Sequence, residues 1–500
     1  MDYRRTIDAV QDRLWPRTKV VDAVVDEAGE SASESAVGDA GLTEPSEKDL
    51  RAILIGLMVP MAMTVLNMTM FGVALPAIRD SFGIEADTAA WLVSAYSLPF
   101  VVFMPFYGRL GDGLGKRRLF TIGILIFLIG TIFCLTANNM ILLILGRMLQ
   151  GVGTGGVNPL CLAVLTDLFP PKERGRALAT WSSTGPATGM IGPVLGGLLL
   201  DSFGWQSMFW VGILASVAAL WLVRGYVPRL QPKVDASFLR KFDWIGMVLL
   251  SGAIIFLVAY LSSRSLTGVE PLLDWRLALA TVVFSVGFWW WERRRDDPLI
   301  SFDLFAVPNF GRSSLVATLR MVLMSCQSFL IPLFLADIYG TPGTQIGLML
   351  TLQAASLLAT VRYGGRLADR WSRRWPVMIG FGTQALGMLY FASLPADLPL
   401  WWPAIGMVLH GGGAGLSLAV LHRLALDNVP AERSGSAAGL YSMIRFFGSI
   451  IGATIGGVIL TQALNYFENP VDAYHVTFAS WAVVGVFAIA ATFPVRDDKK

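Results

Sequence analysis

The stretch YGRLGDGLGKRR, residues 107–118, lies between two runs of about twenty residues with almost no charge. A variant of it, YGGRLADRWSRR, returns at residues 363–374. A Gly-Arg-Leu-x-Asp pattern placed twice, each time where a hydrophobic segment ends, points to a chain made of two related halves. In the first copy Gly108, Gly111, Gly113 and Gly115 suit a tight turn and close helix approach. Asp112 stands where a helix should end, able to pair with an arginine or to meet the positive end of a neighbouring helix dipole. Such a contact can form in one conformation and break in another, as a latch does. A loop that only sets topology would explain Lys116, Arg117 and Arg118, but neither the aspartate nor the recurrence. The second copy keeps Arg366 and Asp369, replaces Gly115 by Ser372, and crowds its turn with Trp371 and Trp375. Asp112 is therefore expected to matter more for gating than Asp369.

Outward from this motif, the composition leaves one broad class. The chain has 500 residues, 54% hydrophobic and 15% charged, with a mean hydropathy of +0.59. These values describe an all-α integral membrane protein rather than a soluble domain. Apolar segments near 53–76, 90–108, 119–137, 140–162, 178–200, 206–224, 244–262, 275–291, 314–336, 345–365, 376–393, 401–421, 435–463 and 476–494 predict about fourteen spanning helices. Arginine and lysine collect in alternate connections, at residues 116–118, 172–176, 224–241, 293–295 and 370–374, whereas the other side holds little beyond Arg79, Arg264 and Arg276. By the positive-inside rule both termini should be cytoplasmic, in a multi-pass protein of the inner or plasma membrane. A net charge of +3, spread in short clusters, gives no reason to expect nucleic acid as a partner.

A second, weaker repeat supports the duplication: GPATGMIGPVLGG at 185–197 is echoed by GSIIGATIGG at 448–457. The expected organisation is an N-terminal extension (1–50), a six-helix bundle (51–230), two accessory helices (231–297), a second six-helix bundle (298–495) and a short tail (496–500). The extension lacks the apolar core of a secretory signal. Its opening, YRRTIDAVQDRLW, fits either a short helix on the membrane surface or a loose tail, and residues 26–49 have the composition of a disordered linker. Cys134, Cys161 and Cys326 fall in apolar stretches without metal-ligand spacing, so no metal or cofactor is expected, and no nucleotide loop or nucleophile constellation suggests an enzyme. The tryptophans of FWWWERRR (288–295) and LWW (400–402) sit where interfacial aromatic belts belong.

Taken together, Gly108, Arg109, Leu110, Asp112, Gly115, Lys116, Arg117 and Arg118 resemble the signature loop between the second and third helices of the major facilitator superfamily. The resemblance extends through GRMLQGVGTGG (146–156), by Arg147, Gln150 and Gly151, and through the fifth-helix antiporter motif, by Gly185, Gly189, Gly192, Pro193, Gly196 and Gly197. VALP, FDWIG and ERRRDDPLI add to it, and it covers nearly all of residues 51–500. More narrowly the chain looks like the fourteen-helix drug:proton antiporter branch. That likeness implies a major facilitator fold, multidrug efflux by proton antiport, gating through Arg109 and Asp112, and substrate or proton coupling through Arg147. Protons, an amphiphilic substrate, the bilayer and accessory efflux proteins would be its partners.

One departure matters. Where the branch carries an acid in its first helix, this chain reads LNMT, with Asn67 in the acidic place, and an amide neither takes nor releases a proton in this range. Central membrane positions carry instead Arg147, Arg320 and Arg445, with Gln327 and His410 nearby in the helices. A cavity so lined favours anionic or neutral amphiphiles over cations, because an unpaired buried charge is costly and an anionic ligand supplies its partner. His410 is a candidate proton carrier, or a packed, hydrogen-bonded histidine beside GGGAG. Two rivals to proton-driven export stand beside it: a proton-independent lipid or metabolite carrier, and a sensor that keeps the fold without transporting.

Overall fold

The computed structural model describes residues 47–228, 243–295, 299–300, 302–430 and 434–495, with the side chains of Arg109 and Asp112 outside the described set. The extension before residue 47, the linker 229–242 and the tail 496–500 also lie outside the described residues. Fourteen long helices follow one another: α1 Glu47–Phe82, α2 Ala86–Leu114, α3 Lys116–Leu135, α4 in two parts (Met140–Thr154 and Val157–Leu168), α5 Pro171–Phe203, α6 Met208–Tyr226, α7 Trp244–Leu261, α8 Trp275–Glu292, α9 Phe310–Asp337, α10 Gly343–Arg370, α11 Arg374–Ala392, α12 Trp401–Leu426, α13 Ser434–Tyr466 and α14 Pro470–Thr492. Helices satisfy every backbone group internally, which lipid demands of a spanning segment. Eleven of them are long and apolar enough to cross a membrane by composition alone. Among the others, α5 carries KERGR and a run of hydroxyl residues in its first half, a composition suited to an aqueous lining rather than to lipid.

Local sequence sets the helix ends. Asn139, Asp243, Asp274 and Asn469 cap α4, α7, α8 and α14 by accepting a hydrogen bond from a first-turn amide. The 107–118 motif is helical up to Leu114 and turns on one residue, Gly115, whose φ of +85° suits a residue without a Cβ. The second copy has no glycine there and takes a longer turn after Arg370. Trp371 and Trp375 are 59% and 49% exposed, so they flank this turn instead of crowding it.

Packing follows the duplication. In the first bundle α1 packs on α5 and α6, and α4 on α2 and α3, while α3 also meets α6. In the second, α9 packs on α13 and α14, α12 on α10 and α11, and α11 meets α14. These are the same pairings eight helices later. The bundles join along two equivalent seams, α2 with α13 and α5 with α10. Equivalent side chains even repeat across them: Ser94 bonds Thr454 at 3.0 Å on one seam, and Thr351, eight helices on, donates to the Met190 carbonyl at 2.8 Å on the other. The α7–α8 hairpin pairs with itself and, through α7, packs lightly on α2 and α13. Trp289 and Trp290 on its outer end are about half exposed, with Arg293 and Arg294 stacked over them at 4.5 and 3.6 Å, as an interfacial belt requires.

Candidate functional site

The first bundle encloses a guanidinium. Arg147, on the first part of α4, is 2% exposed. Its Nη1 donates to Asn67 Oδ1 of α1 at 2.8 Å and to Gln150 Oε1 at 3.0 Å, and its Nε to the Leu92 carbonyl of α2 at 3.3 Å. Phe71 and Tyr96 cover it, with ring centroids 3.9 and 4.5 Å away. Gln150 passes the network on to Thr131 of α3 at 2.9 Å, and Tyr96 is tied to Thr154 at 2.8 Å. Four helices therefore converge on one cation whose near neighbours are amides, a carbonyl and aromatic faces. Asn67 does not titrate, yet it takes the geometric place of an acid as acceptor.

The second bundle is built differently at the equivalent level. Gly411 abuts Gln353 as Gly151 abuts Tyr96, so His410 occupies the place of Gln150 and Met407 that of Arg147. His410 is fully buried, its Nδ1 3.5 Å from Gln353 Nε2, and its Nε2 has no partner among the described residues. Gln327 reaches Met407 Sδ at 3.6 Å and leaves its own Oε1 unbonded. The arginines of this half sit elsewhere. Arg320 of α9 donates from Nε to the Ala414 carbonyl at 3.0 Å, and Arg445 of α13 lies over Phe446 at 4.3 Å. Both place Nη1 3.9 Å from the same sulfur, Met321 Sδ.

Each signature loop secures its own bundle. Lys116 pairs with Asp167 of α4, and the equivalent Arg373 with Asp427 after α12 at 2.7 Å. Arg117 donates to the Arg224 carbonyl. Asp369 pairs with Arg423 at 2.8 Å, and Arg366 is exposed. Gly108 packs near Pro159 of α4.

At the opposite face the bundles are clasped together. Arg79 at the end of α1 holds Asp337 at the end of α9 through two bonds of 2.7 and 2.5 Å, and the Tyr474 hydroxyl donates to the same carboxylate at 2.6 Å. Asp201, ending α5, accepts from the amides of Gly343 and Thr344 at 2.7 and 2.8 Å and from the Thr344 hydroxyl at 2.6 Å. That places an anion on the positive end of α10. The fifth-helix glycines serve two contacts. Gly185, Gly189 and Gly192 face Met61, Val65 and Thr69 of α1, where a Cβ at Gly192 would strike the Thr69 hydroxyl, and one at Gly196 would stand 2.9 Å from Met70 Cα. Gly197 lets α5 meet Gly343 across the seam, and Pro193 lies against Gly347.

Sequence reading named the arginines but not the clasp. Arg79, Asp201 and Asp337 stand at helix ends, where charge is ordinary, and nothing in their spacing pairs them. Tyr441 and His422, which meet ring edge to ring at 5.2 Å beside the second-bundle arginines, were equally inconspicuous.

Two pseudo-equivalent bundles with polar networks between their helices and glycine-sealed seams define a membrane transporter of the two-bundle class. The chain matches the Major Facilitator Superfamily over residues 57–300 and 313–500, and it belongs to that superfamily. It is 31% identical over 417 residues to Multidrug resistance protein Stp of Mycobacterium tuberculosis (strain CDC 1551 / Oshkosh), an alignment covering 82% of this chain and 75% of that one. To Multidrug resistance protein 3 of Bacillus subtilis (strain 168) it is 27% identical over 437 residues, covering 86% and 83%. A bacterial homolog of the human lysosomal transporter Spinster, solved inward-facing and unoccupied, shares the fold with a TM-score of 0.62 at 17% identity, over 90% of this chain and 97% of that one.

Proposed function

We propose that the protein is a secondary active transporter that exports hydrophobic or amphiphilic compounds by alternating access, coupled to protons moving the other way. One observation carries this reading: the bundles are clasped at one face, while toward the other the seam partners α5 and α10 expose Ser182, Ser183 and Ala359. Rocking about the two seams closes the open face and parts the clasp, and the ion pairs of Lys116 and Arg373 let each bundle move as a unit. The basic connections assign the open face, and both chain ends, to the cytoplasm. On this reading Arg109 and Asp112, with Arg366 and Asp369 in the second copy, gate the cytoplasmic side. The multidrug resistance proteins to which the chain is similar support a small amphiphilic substrate.

The proton path is the demanding part. Among the described residues, the carboxylates of the fourteen helices stand in first or last turns. His410 takes the place of Gln150 in the second bundle, and its Nε2, without a partner among the described residues, could exchange a proton. A second reading, proton-independent transport, is favoured by Asn67 in the acceptor position of Arg147. Flux into proteoliposomes under an imposed pH gradient separates the two. Accumulation that ends when the gradient is collapsed, and that His410→Gln also ends, supports antiport. Accumulation undiminished by that collapse removes it.

A further inference from the structure

We infer that Arg445, Arg320 and Tyr441 form a binding site for the anionic group of an amphiphilic substrate, with the Phe100–Phe446 pair beside it receiving the apolar body. The inference rests on the transport reading only for the word substrate; the site itself rests on geometry.

The first element is charge without a counter-charge. Arg320 is 4% exposed and Arg445 half-buried, and among the described residues neither has an ion pair. Their Nη1 atoms share one thioether, so they lie no farther apart than twice the 3.9 Å that separates each from Met321 Sδ. A sulfur is a weak acceptor. Two like charges this close and this buried repel each other, and the arrangement becomes favourable once an anion lies between them.

The second element is a set of unmade hydrogen bonds on the same spot. Among the described residues, Arg445 Nε and the Tyr441 hydroxyl have no partner, although Tyr441 is 1% exposed. The Tyr441 ring is held at 5.2 Å by His422, whose Nδ1 is engaged with the Leu418 carbonyl at 2.8 Å. Buried donors left unpaired in a native fold call for an explanation, and a ligand that accepts from all of them supplies one.

The third element is access and shape. Arg320 lies ten residues, about 15 Å, into α9 from the open face. Arg445 and Tyr441 lie at comparable depth on α13, the helix that forms the seam with α2. Next to Arg445, Phe446 meets Phe100 of α2 edge-on at 5.3 Å and 84°. A charged head on the guanidinium groups thus places its hydrocarbon against an aromatic pair that spans both bundles. Occupancy would couple directly to the seam about which the bundles move.

Binding, measured without flux, tests the site independently of transport. Purified full-length protein in phosphatidylcholine nanodiscs is titrated with tritiated 1-naphthaleneacetate and with its neutral analogue 1-naphthaleneethanol by scintillation proximity. Wild type should bind the anion at least tenfold more tightly than the alcohol, as charge-assisted hydrogen bonds imply. Arg445→Gln should erase that preference while leaving alcohol binding within twofold, and Tyr441→Phe should weaken the anion about threefold. Equal losses for both probes, an unchanged Arg445→Gln, or no anion preference in wild type overturns the inference. Displacement of the probe when phosphatidylglycerol is added to the disc assigns the pocket to a lipid headgroup and overturns the substrate assignment. Charge-selective binding by a protein that shows no flux in proteoliposomes would leave the site standing and remove the transport reading.

Discussion

The two bundles hold their arginines in opposite ways. Arg147 in the first is closed in by Asn67, Gln150, a carbonyl and two aromatic rings. Arg320 and Arg445 in the second share a weak sulfur acceptor and leave a donor unmade beside an unpartnered tyrosine. The helices that carry them pair in the same order in each half. What differs is which helix bears the charge: α4 in the first half, α9 and α13 in the second. An arginine on a helix packed against several neighbours is enclosed by them and stiffens the bundle. Arg445 stands on the seam helix α13 with its Nε unpartnered among the described residues, and Arg320 on α9 bonds the Ala414 carbonyl and the shared sulfur. Duplication supplies the frame, and divergence within it separates an enclosed cation from a pair that shares a weak acceptor.

That contrast can be broken by exchange. Arg147→Ala should be the most damaging substitution: it strips Asn67 and Gln150 of their donor and opens a void under Phe71, at about 3–5 kcal/mol. The midpoint of thermal unfolding in detergent should fall sharply for it and barely move for Arg445→Gln. A larger drop for Arg445→Gln would reverse the roles assigned here.

The helix seams offer the next test. Gly192→Ala drives a methyl into the Thr69 hydroxyl on α1 and should cost about 1–3 kcal/mol. Gly456→Ala, at the place of Gly196 on the equivalent helix α13, meets Cys326 Sγ at 3.2 Å, a contact that a small shift relieves, and should cost about 1 kcal/mol or less. Thermal midpoints of the two variants measure the difference directly.

The clasp concerns motion rather than stability. Asp337→Asn removes the charge that Arg79 and Tyr474 both hold, and should shift the population toward the form open at that face about tenfold. Spin labels on the ends of α1 and α9 would report a longer-distance component; an unchanged distance distribution would mean that the glycine seams alone keep this face shut.

The smallest effect belongs to the equivalent ion pairs. Asp427→Asn should lower the thermal midpoint by about 1 kcal/mol or less in equivalent stability, because both partners are partly solvated. Asp167→Asn should cost more, since Lys116 is only 5% exposed and would keep a buried charge.

Much of this was legible from the sequence. Hydrophobic runs of spanning length, the recurring Gly-Arg-Leu-x-Asp stretch and the glycine-rich echo reveal fourteen helices, their duplication and their class, because lipid leaves a chain few ways to satisfy its backbone. Arg147 and Asn67 stood out because charge and amide are rare at such depth. Their bond at 2.8 Å did not, since eighty residues separate them and only bundle packing brings α1 to α4. The same holds for Arg79 with Asp337, for Asp201 on the first amides of α10, and for the arginine pair around Met321. Periodicity and composition act along the chain and so determine what each helix is. Partnership depends on which faces meet across the bundle, and only the tertiary structure decided whether each buried charge was enclosed, clasped or left on a weak acceptor.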